Sequence, residues 1–233
     1  NFNTPQELNS FKTEGTIILN ALIANTAHVD TFYFRIFKDE PITGDKVLNV
    51  FDPVGKSTDM LLALGYTVIS WKGETKIPFL IIGREALSKQ YAIPFSIQKF
   101  VEQGGKILVF NQHDSVLEKR GFRISKFVTR YVFPIKNNPL TNQLDEVDLR
   151  NWTGVGTMTV PYPDYMNNDY EKSPDDSPLY GWHWGNRGSV ATNAMEKPHN
   201  SGWTPLLECE FDMAYSPLRK LNVGKGAITG CSL

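Results

Sequence analysis

The first forty residues carry two runs of β-forming residues separated by a short polar connector. The runs span residues 16–24 and 29–37, and in the second run Phe32 and Phe34 recur two positions apart. A period of two residues is typical of a strand with one apolar face. Two strands alone are only marginally stable in water. We therefore expect residues 1–40 to be the end of a β-sandwich domain whose other strands lie upstream in a larger protein.

From residue 46 the pattern changes to apolar runs that alternate with amphipathic stretches. The runs, which predict buried strands, cover residues 47–51, 66–70, 79–82 and 106–110. Helices are predicted around residues 60–64 and over 93–102. Buried strands separated by helices favour a mostly parallel sheet that is covered on both faces. We therefore expect residues 41–233 to form a three-layer α/β domain.

This regularity is lost in a long loop region, residues 137–189. The region is rich in Pro, Asn, Asp, Gly and aromatic residues and shows little periodicity. A loop of this length inside a compact domain is usually a functional segment or an interface. Order returns with two predicted strands, at residues 206–211 and 226–231, which complete the second domain.

Charge and composition narrow the classes of partner. The chain has 24 Lys and Arg against 25 Asp and Glu, a net charge of -1. Nucleic-acid binding usually needs a basic face, which this balance does not supply. No apolar run approaches the ~18 residues that a membrane span needs. We therefore expect neither nucleic acid nor a membrane as a partner.

The sequence predicts no cofactor and no metal. Residues 55–58 follow a strand and precede a helix, as in a phosphate-binding loop, but Val50 stands where that motif needs its first glycine. The four histidines are scattered, and the acidic residues of the long loop lack calcium-loop spacing. Cys209 and Cys231 are the only cysteines, and both a disulfide and two free thiols are open readings.

The turn after the predicted strand 106–110 is a candidate binding position, because ligands collect at the carboxyl ends of strands in open α/β sheets. It carries Asn111, Gln112 and His113. Hydrolases of this general type place a nucleophile on such a turn, and an amide side chain cannot attack a carbonyl. No catalytic residue is therefore assigned. One alternative stays open, in which Ser115 is a nucleophile and His113 its base.

A second candidate lies inside the long loop, where aromatic and hydrogen-bonding side chains are concentrated. It comprises Trp182, His183, Trp184, Asn186 and Arg187. Flat aromatic faces stack on sugar rings, while amide and guanidinium groups can hydrogen-bond to hydroxyls. The same residue types dominate protein interfaces, and aromatic side chains also fill cores. Three readings stay open: intramolecular packing, contact with a neighbouring domain, and direct contact with a sugar.

Several segments resemble parts of known bacterial enzymes. Residues 79–87 and 100–107 look like the glutamine amidotransferase-like domain embedded in bacterial glycoside hydrolases, a group that includes the trimerisation domain of some β-galactosidases. Later segments are similar to an accessory region of large secreted family 2-type glycoside hydrolases of gut and marine bacteria: 148–152, 184–188, 196–199 and 211–218. The resemblance implies a class I glutamine amidotransferase-like, flavodoxin-like fold that lacks its nucleophile, with the catalytic acids on a separate barrel domain.

The resulting hypothesis is a non-catalytic accessory domain of a multidomain, β-galactosidase-like glycoside hydrolase. It would act in domain architecture, oligomerisation or shaping of the carbohydrate cleft, in a secreted or periplasmic bacterial protein. Its expected partners are the other domains of the same polypeptide, with carbohydrate and a second copy of the chain as further candidates. Two alternatives stay open: an independent α/β hydrolase with its site near His113, and a free-standing carbohydrate-binding module.

Overall fold

The computed structural model describes residues 12–38, 46–87, 97–125, 129–150, 152, 189–197 and 200–233. The chain forms two compact units, which divide between Lys46 and Val47. No helix in the described ranges is long and apolar enough to cross a membrane. The assignment of the first forty residues to the end of a β-sandwich stays a prediction.

The first unit contains a β-hairpin. Its strands, β1 (Lys12–Ile23) and β2 (Thr26–Phe37), pair in antiparallel register along their whole length. The two connecting residues, Ala24 and Asn25, have positive φ angles of 48° and 64°. Positive φ at both central positions is the geometry of a type I′ turn, whose twist matches that of the flanking strands.

The described part of the second unit contains strands β3 to β14 and helices α1 to α3. The strands are β3 (Val47–Phe51), β4 (Thr67–Ser70), β5 (Phe79–Ile82), β6 (Lys106–Val109), β7 (Ile124–Ser125), β8 (Val132–Pro134), β9 (Ala194–Glu196), β10 (Trp203–Pro205), β11 (Leu207–Cys209), β12 (Tyr215–Ser216), β13 (Leu218–Val223) and β14 (Gly226–Cys231). The helices are α1 (Lys56–Ala63), α2 (Ile97–Glu102) and α3 (Asp114–Glu118), and a 3-10 turn covers Phe211–Met213.

A seven-stranded sheet has the order β10-β13-β14-β6-β5-β3-β4. The five neighbouring strands β14, β6, β5, β3 and β4 are mutually parallel. β13 pairs antiparallel with β14, and β10 pairs antiparallel with β13. Neighbouring residues of β5 belong to different hydrophobic clusters, because successive side chains of a strand point to opposite faces of the sheet. Ile81 packs with Val50 and with Leu61 of α1. Leu80 packs with Phe100 of α2.

A five-stranded sheet has the order β7-β9-β12-β11-β8, and all its pairings are antiparallel. Its strands are only two or three residues long. A separate hydrophobic cluster supports it, in which Val132, Leu149, Val190 and Leu207 are buried.

The predicted fold class, a three-layer, mostly parallel α/β sheet of the class I glutamine amidotransferase-like type, is wrong. The described residues are mostly β, with 45% strand and 12% helix, and they include several antiparallel sheets. Part of the reason is a short connection. Only Gly224 and Lys225 separate β13 from β14, and a two-residue link joins antiparallel neighbours, whereas parallel strands need a long crossover.

Candidate functional site

Three turns meet at the carboxyl ends of the parallel strands β3, β5 and β6, and together they are termed the strand-end face. They are residues 52–55, 83–87 and 110–113. A backbone hydrogen bond joins two of them, in which the Glu85 N–H donates to the Asn111 carbonyl at 2.8 Å. Ligands of open sheets with parallel strands bind at this end of the strands.

Gln112 fastens two of these turns together from inside the protein. The residue is only 1% exposed. Its amide nitrogen donates to the carbonyls of Gly83 at 2.8 Å and Phe110 at 2.6 Å, and its amide oxygen accepts from the Leu87 N–H at 2.8 Å. Because both ends of the amide are engaged by backbone groups, the Gln112 side chain has a structural role.

Asn111 is buried as well, between residue 192 and the end of β14. With its amide nitrogen turned towards these groups, it donates to Thr192 Oγ1 at 2.9 Å and to the carbonyls of Cys231 at 3.2 Å and Ser232 at 3.3 Å. The hydrogen-bonding partners decide this orientation. Asn111 therefore anchors the turn after β6 to the C-terminal strand, and its side chain is not presented to solvent.

His113 and Glu85 of the strand-end face form a group of three charged or ionisable side chains with Lys56, the first residue of α1. His113 Nε2 lies 3.4 Å from Glu85 Oε2, and Lys56 Nζ donates to Glu85 Oε1 at 2.8 Å. The side chains of His113 and Lys56 are more than half exposed, whereas that of Glu85 is 18% exposed. The hydrogen bond from Lys56 holds the pKa of the Glu85 carboxyl below its usual value, against the opposing effect of burial.

Glu85 is also the residue of this face with a strained backbone. Its φ angle is 59°, in the left-handed region that non-glycine residues rarely adopt. Such residues cluster at functional sites. A sharp, strained turn between strand and helix is where α/β-hydrolases carry their nucleophile. In this protein the strained turn follows β5, and a carboxylate occupies it.

Asp52 directly follows β3 and lies next to Gly83 in the neighbouring turn. Its Oδ2 accepts from the Thr58 N–H at 2.7 Å and so caps the start of α1. Its Oδ1 is buried without a hydrogen-bond partner. A Cβ atom at residue 83 would approach that oxygen to 2.5 Å, so only glycine fits opposite it.

Sequence reasoning did not select Lys56, Glu85 or Asp52 as site residues. A weak signal existed in Gly83, which directly follows the buried strand β5. Glycine at such a point often marks a close approach of two chain segments. A positive φ angle at a glutamate has no signature in the sequence, so Glu85 could not be found in this way.

The hydroxyl groups of Ser57 and Ser115 lie near this face, and neither is arranged as a nucleophile. Ser57 is fully buried, and its Oγ accepts from the Arg84 N–H at 2.8 Å. Ser115 is exposed at the start of α3 and makes no hydrogen bond to His113. A base activates a hydroxyl only within hydrogen-bond reach. The histidine–carboxylate contact therefore has neither of these two serines as a partner.

The second predicted cluster, Trp182, His183, Trp184, Asn186 and Arg187, lies outside the described residues, so its three readings stay open. In the parts of the chain that are described, no group of three or more His, Cys, Asp and Glu side chains could hold a metal ion. Cys209 and Cys231 are free thiols.

The sequence matches no protein-family model and no curated protein. Among solved structures, a cytoplasmic protein from Salmonella typhimurium LT2 is similar over 94% of this chain and 84% of its own, with 8% identity and a TM-score of 0.42. The neighbours include β-galactosidases. The cold-adapted enzyme from Rahnella sp. R3 is 13% identical over 81% of this chain, with a TM-score of 0.35. The enzyme from Bacillus circulans sp. alkalophilus is 10% identical over 80% of it, with a TM-score of 0.36. The chain spans 28% of the length of each β-galactosidase.

Proposed function

We propose that this chain is a non-catalytic accessory module of a larger glycoside hydrolase, acting in domain architecture or assembly. One observation carries the non-catalytic part: the strand-end turns hold Glu85, Asn111 and Gln112 where an attacking hydroxyl or thiol would have to stand. The choice of a glycoside hydrolase as the parent follows the sequence resemblance of residues 79–87 and 100–107.

The contacts of these three side chains support this reading. The amides of Asn111 and Gln112 are buried and bonded to the protein's own groups. The Glu85 carboxylate contacts Lys56 and His113. A nucleophile needs a free lone pair, a neighbouring base and access to substrate. The buried amides of Asn111 and Gln112 do not meet these requirements, and the Glu85 carboxylate is engaged by its two cationic or ionisable neighbours.

The hairpin of the first unit supports a role beside other domains. Cross-strand partners share a face, so one face carries Ile17 opposite Phe32 and Gly15 opposite Phe34. Large apolar side chains of the hairpin are at least 44% exposed: Ile17, Ile18, Leu19, Leu22, Ile23, Val29, Phe32, Tyr33 and Phe37. A two-stranded sheet with this much exposed apolar surface gains stability only when further structure covers it.

The test is an activity screen of the whole chain against aryl-glycosides and aryl-esters. We expect no turnover above that of the buffer, and no difference between the wild type, His113→Ala and the control Gln103→Ala. Gln103 is exposed and lies away from the strand-end turns. Turnover that disappears in His113→Ala but persists in Gln103→Ala would refute the proposal.

The same screen addresses a second candidate function, an independent hydrolase. The contact between His113 Nε2 and Glu85 Oε2 favours it, because a carboxylate that orients an imidazole is part of the usual catalytic arrangement. In that case Glu85→Gln would also lower kcat.

A third candidate, a free-standing carbohydrate-binding module, predicts oligosaccharide binding that Trp184→Ala abolishes.

A further inference from the structure

A cavity of about 520 Å³ opens inside the second unit, beside the ends of β6 and β14. Most of its wall is apolar. Its lining includes Val109, Leu117, Phe122, Trp203, Arg219 and Ile228. Small-molecule sites are typically of this size and of this character, with a few polar groups that fix the ligand's orientation. The parallel strands β6 and β14 both run into it with their carboxyl ends, which is where ligands of such sheets collect.

Arg219 is the unusual part of this wall. It comes from β13, opposite Gly230 in the register, and is only 4% exposed. Its guanidinium carbon lies 4.1 Å from the centre of the Phe122 ring and 4.8 Å from that of the Trp203 ring. Its Nε is buried without a hydrogen-bond partner, and one terminal nitrogen contacts the sulfur of Met195.

Among the described residues, no carboxylate pairs with Arg219. A thioether sulfur is a weak acceptor, and two aromatic faces compensate a cation only in part. Removing a guanidinium from water without a counter-ion is costly. Burial lowers the pKa of Arg219 to about 10, so the group still carries its charge at neutral pH. The cavity therefore combines a fixed positive charge with apolar walls.

We propose that this cavity binds a small organic carboxylate with an apolar body, whose carboxylate group pairs with the Arg219 guanidinium. A planar guanidinium presents parallel N–H donors that match a carboxylate in a bidentate pair. The aliphatic and aromatic walls bury the body of the ligand. A free sugar fits the cavity poorly, because its hydroxyls would lose their water without finding enough partners.

The test compares two ligands that differ only in charge, 4-phenylbutyrate and its neutral amide, by calorimetric titration of the whole chain. Charge-assisted hydrogen bonds are about twice as strong as neutral ones, so we expect the carboxylate to bind at least about tenfold more tightly. In Arg219→Met, which keeps an unbranched side chain between the two rings, this preference should disappear. The control is Arg123→Met, because the Arg123 side chain is 82% exposed and pairs with Glu196.

Equal affinities for the two ligands, or a carboxylate preference that survives in Arg219→Met, would overturn the proposal. So would the absence of carboxylate binding at millimolar concentration. Tryptophan fluorescence and the Tm check that each variant is folded. If Arg219→Met does not fold, the comparison of the two ligands on the wild-type protein can still overturn the proposal, because equal affinities are observed without any variant.

Discussion

Replacing Gln112 with alanine tests whether the turn after β6 is structural. The substitution removes three hydrogen bonds and leaves the Leu87 N–H and the carbonyls of Gly83 and Phe110 without their side-chain partner. A buried polar group that loses its partner costs about 1–3 kcal/mol. Three such groups, partly rehydrated through the space that the shorter side chain leaves, give a loss of roughly 3–6 kcal/mol. That is a large share of the roughly 5–15 kcal/mol that stabilises a typical domain.

The measurement is urea unfolding followed by tryptophan fluorescence. All 5 tryptophans lie beyond residue 46, so the signal reports on the second unit alone. Gln103→Ala is the matched control, since an exposed substitution usually changes stability by less than about 0.5 kcal/mol. A loss below about 1 kcal/mol in Gln112→Ala would show that these bonds contribute little, since even one orphaned group should cost that much.

Two further predictions follow from the shifted pKa values. The folded pKa of Glu85 is lowered, chiefly by Lys56, so its stabilising contribution is present above the unfolded pKa of about 4.3 and is lost as pH falls through the folded pKa. The difference in unfolding free energy between wild type and Glu85→Gln should therefore shrink in acid. At neutral pH it should stay below about 1 kcal/mol, as is usual for partly exposed pairs. The control is Glu118→Gln at an exposed position, and a difference that does not depend on pH, or one equal to that of the control, contradicts the prediction. Burial raises the pKa of Cys209 to about 12 and also raises that of Cys231. A thiol reagent at pH 8 should then react with neither cysteine in the native protein and with both cysteines after unfolding. No reaction after unfolding would indicate a disulfide instead.

Sequence patterns predicted the elements that form nearly continuous apolar runs. The aliphatic runs at 47–51, 79–82 and 106–110 correspond to β3, β5 and β6 within one residue. Central strands of a parallel sheet are covered by structure on both faces, so nearly every position is apolar. The start of α1 was placed too late, because Gly55 precedes the helix and the capping oxygen comes from Asp52, three residues earlier.

The antiparallel parts could not be predicted in the same way. The strands of the five-stranded sheet are too short to show a period of two residues. β13 contains Arg219 and Lys220, whose charges hide the strand pattern, and its hairpin with β14 depends on Gly224 at a φ of 56°. The fold class was wrong because, apart from β11 and β14, these segments were not predicted as strands, while the parallel strands were taken as the framework of the whole domain.

The rule that ligands collect beyond strand ends led to the strand-end face as a candidate site, but the rule does not say which side chains face solvent. Residues 111 to 113 differ in exposure although they are neighbours: Asn111 and Gln112 are buried, and His113 is exposed. Side-chain direction in a turn depends on backbone angles that tertiary contacts decide. The partner of His113 is Glu85, which lies in another turn, 28 residues earlier in the chain.

Gln112 and Arg219 are both buried polar residues on the wall of the same cavity, and their hydrogen bonds separate their roles. The amide of Gln112 is satisfied at both ends by backbone groups, so burial costs it little and it needs no ligand. The guanidinium of Arg219 has an unpaired Nε, a sulfur contact and two aromatic faces. A buried charge without a counter-ion is destabilising, so we expect another interaction to offset the cost of burying this guanidinium. A bound anion would supply that interaction, and the difference between these two residues is therefore the physical basis for placing a ligand beside Arg219.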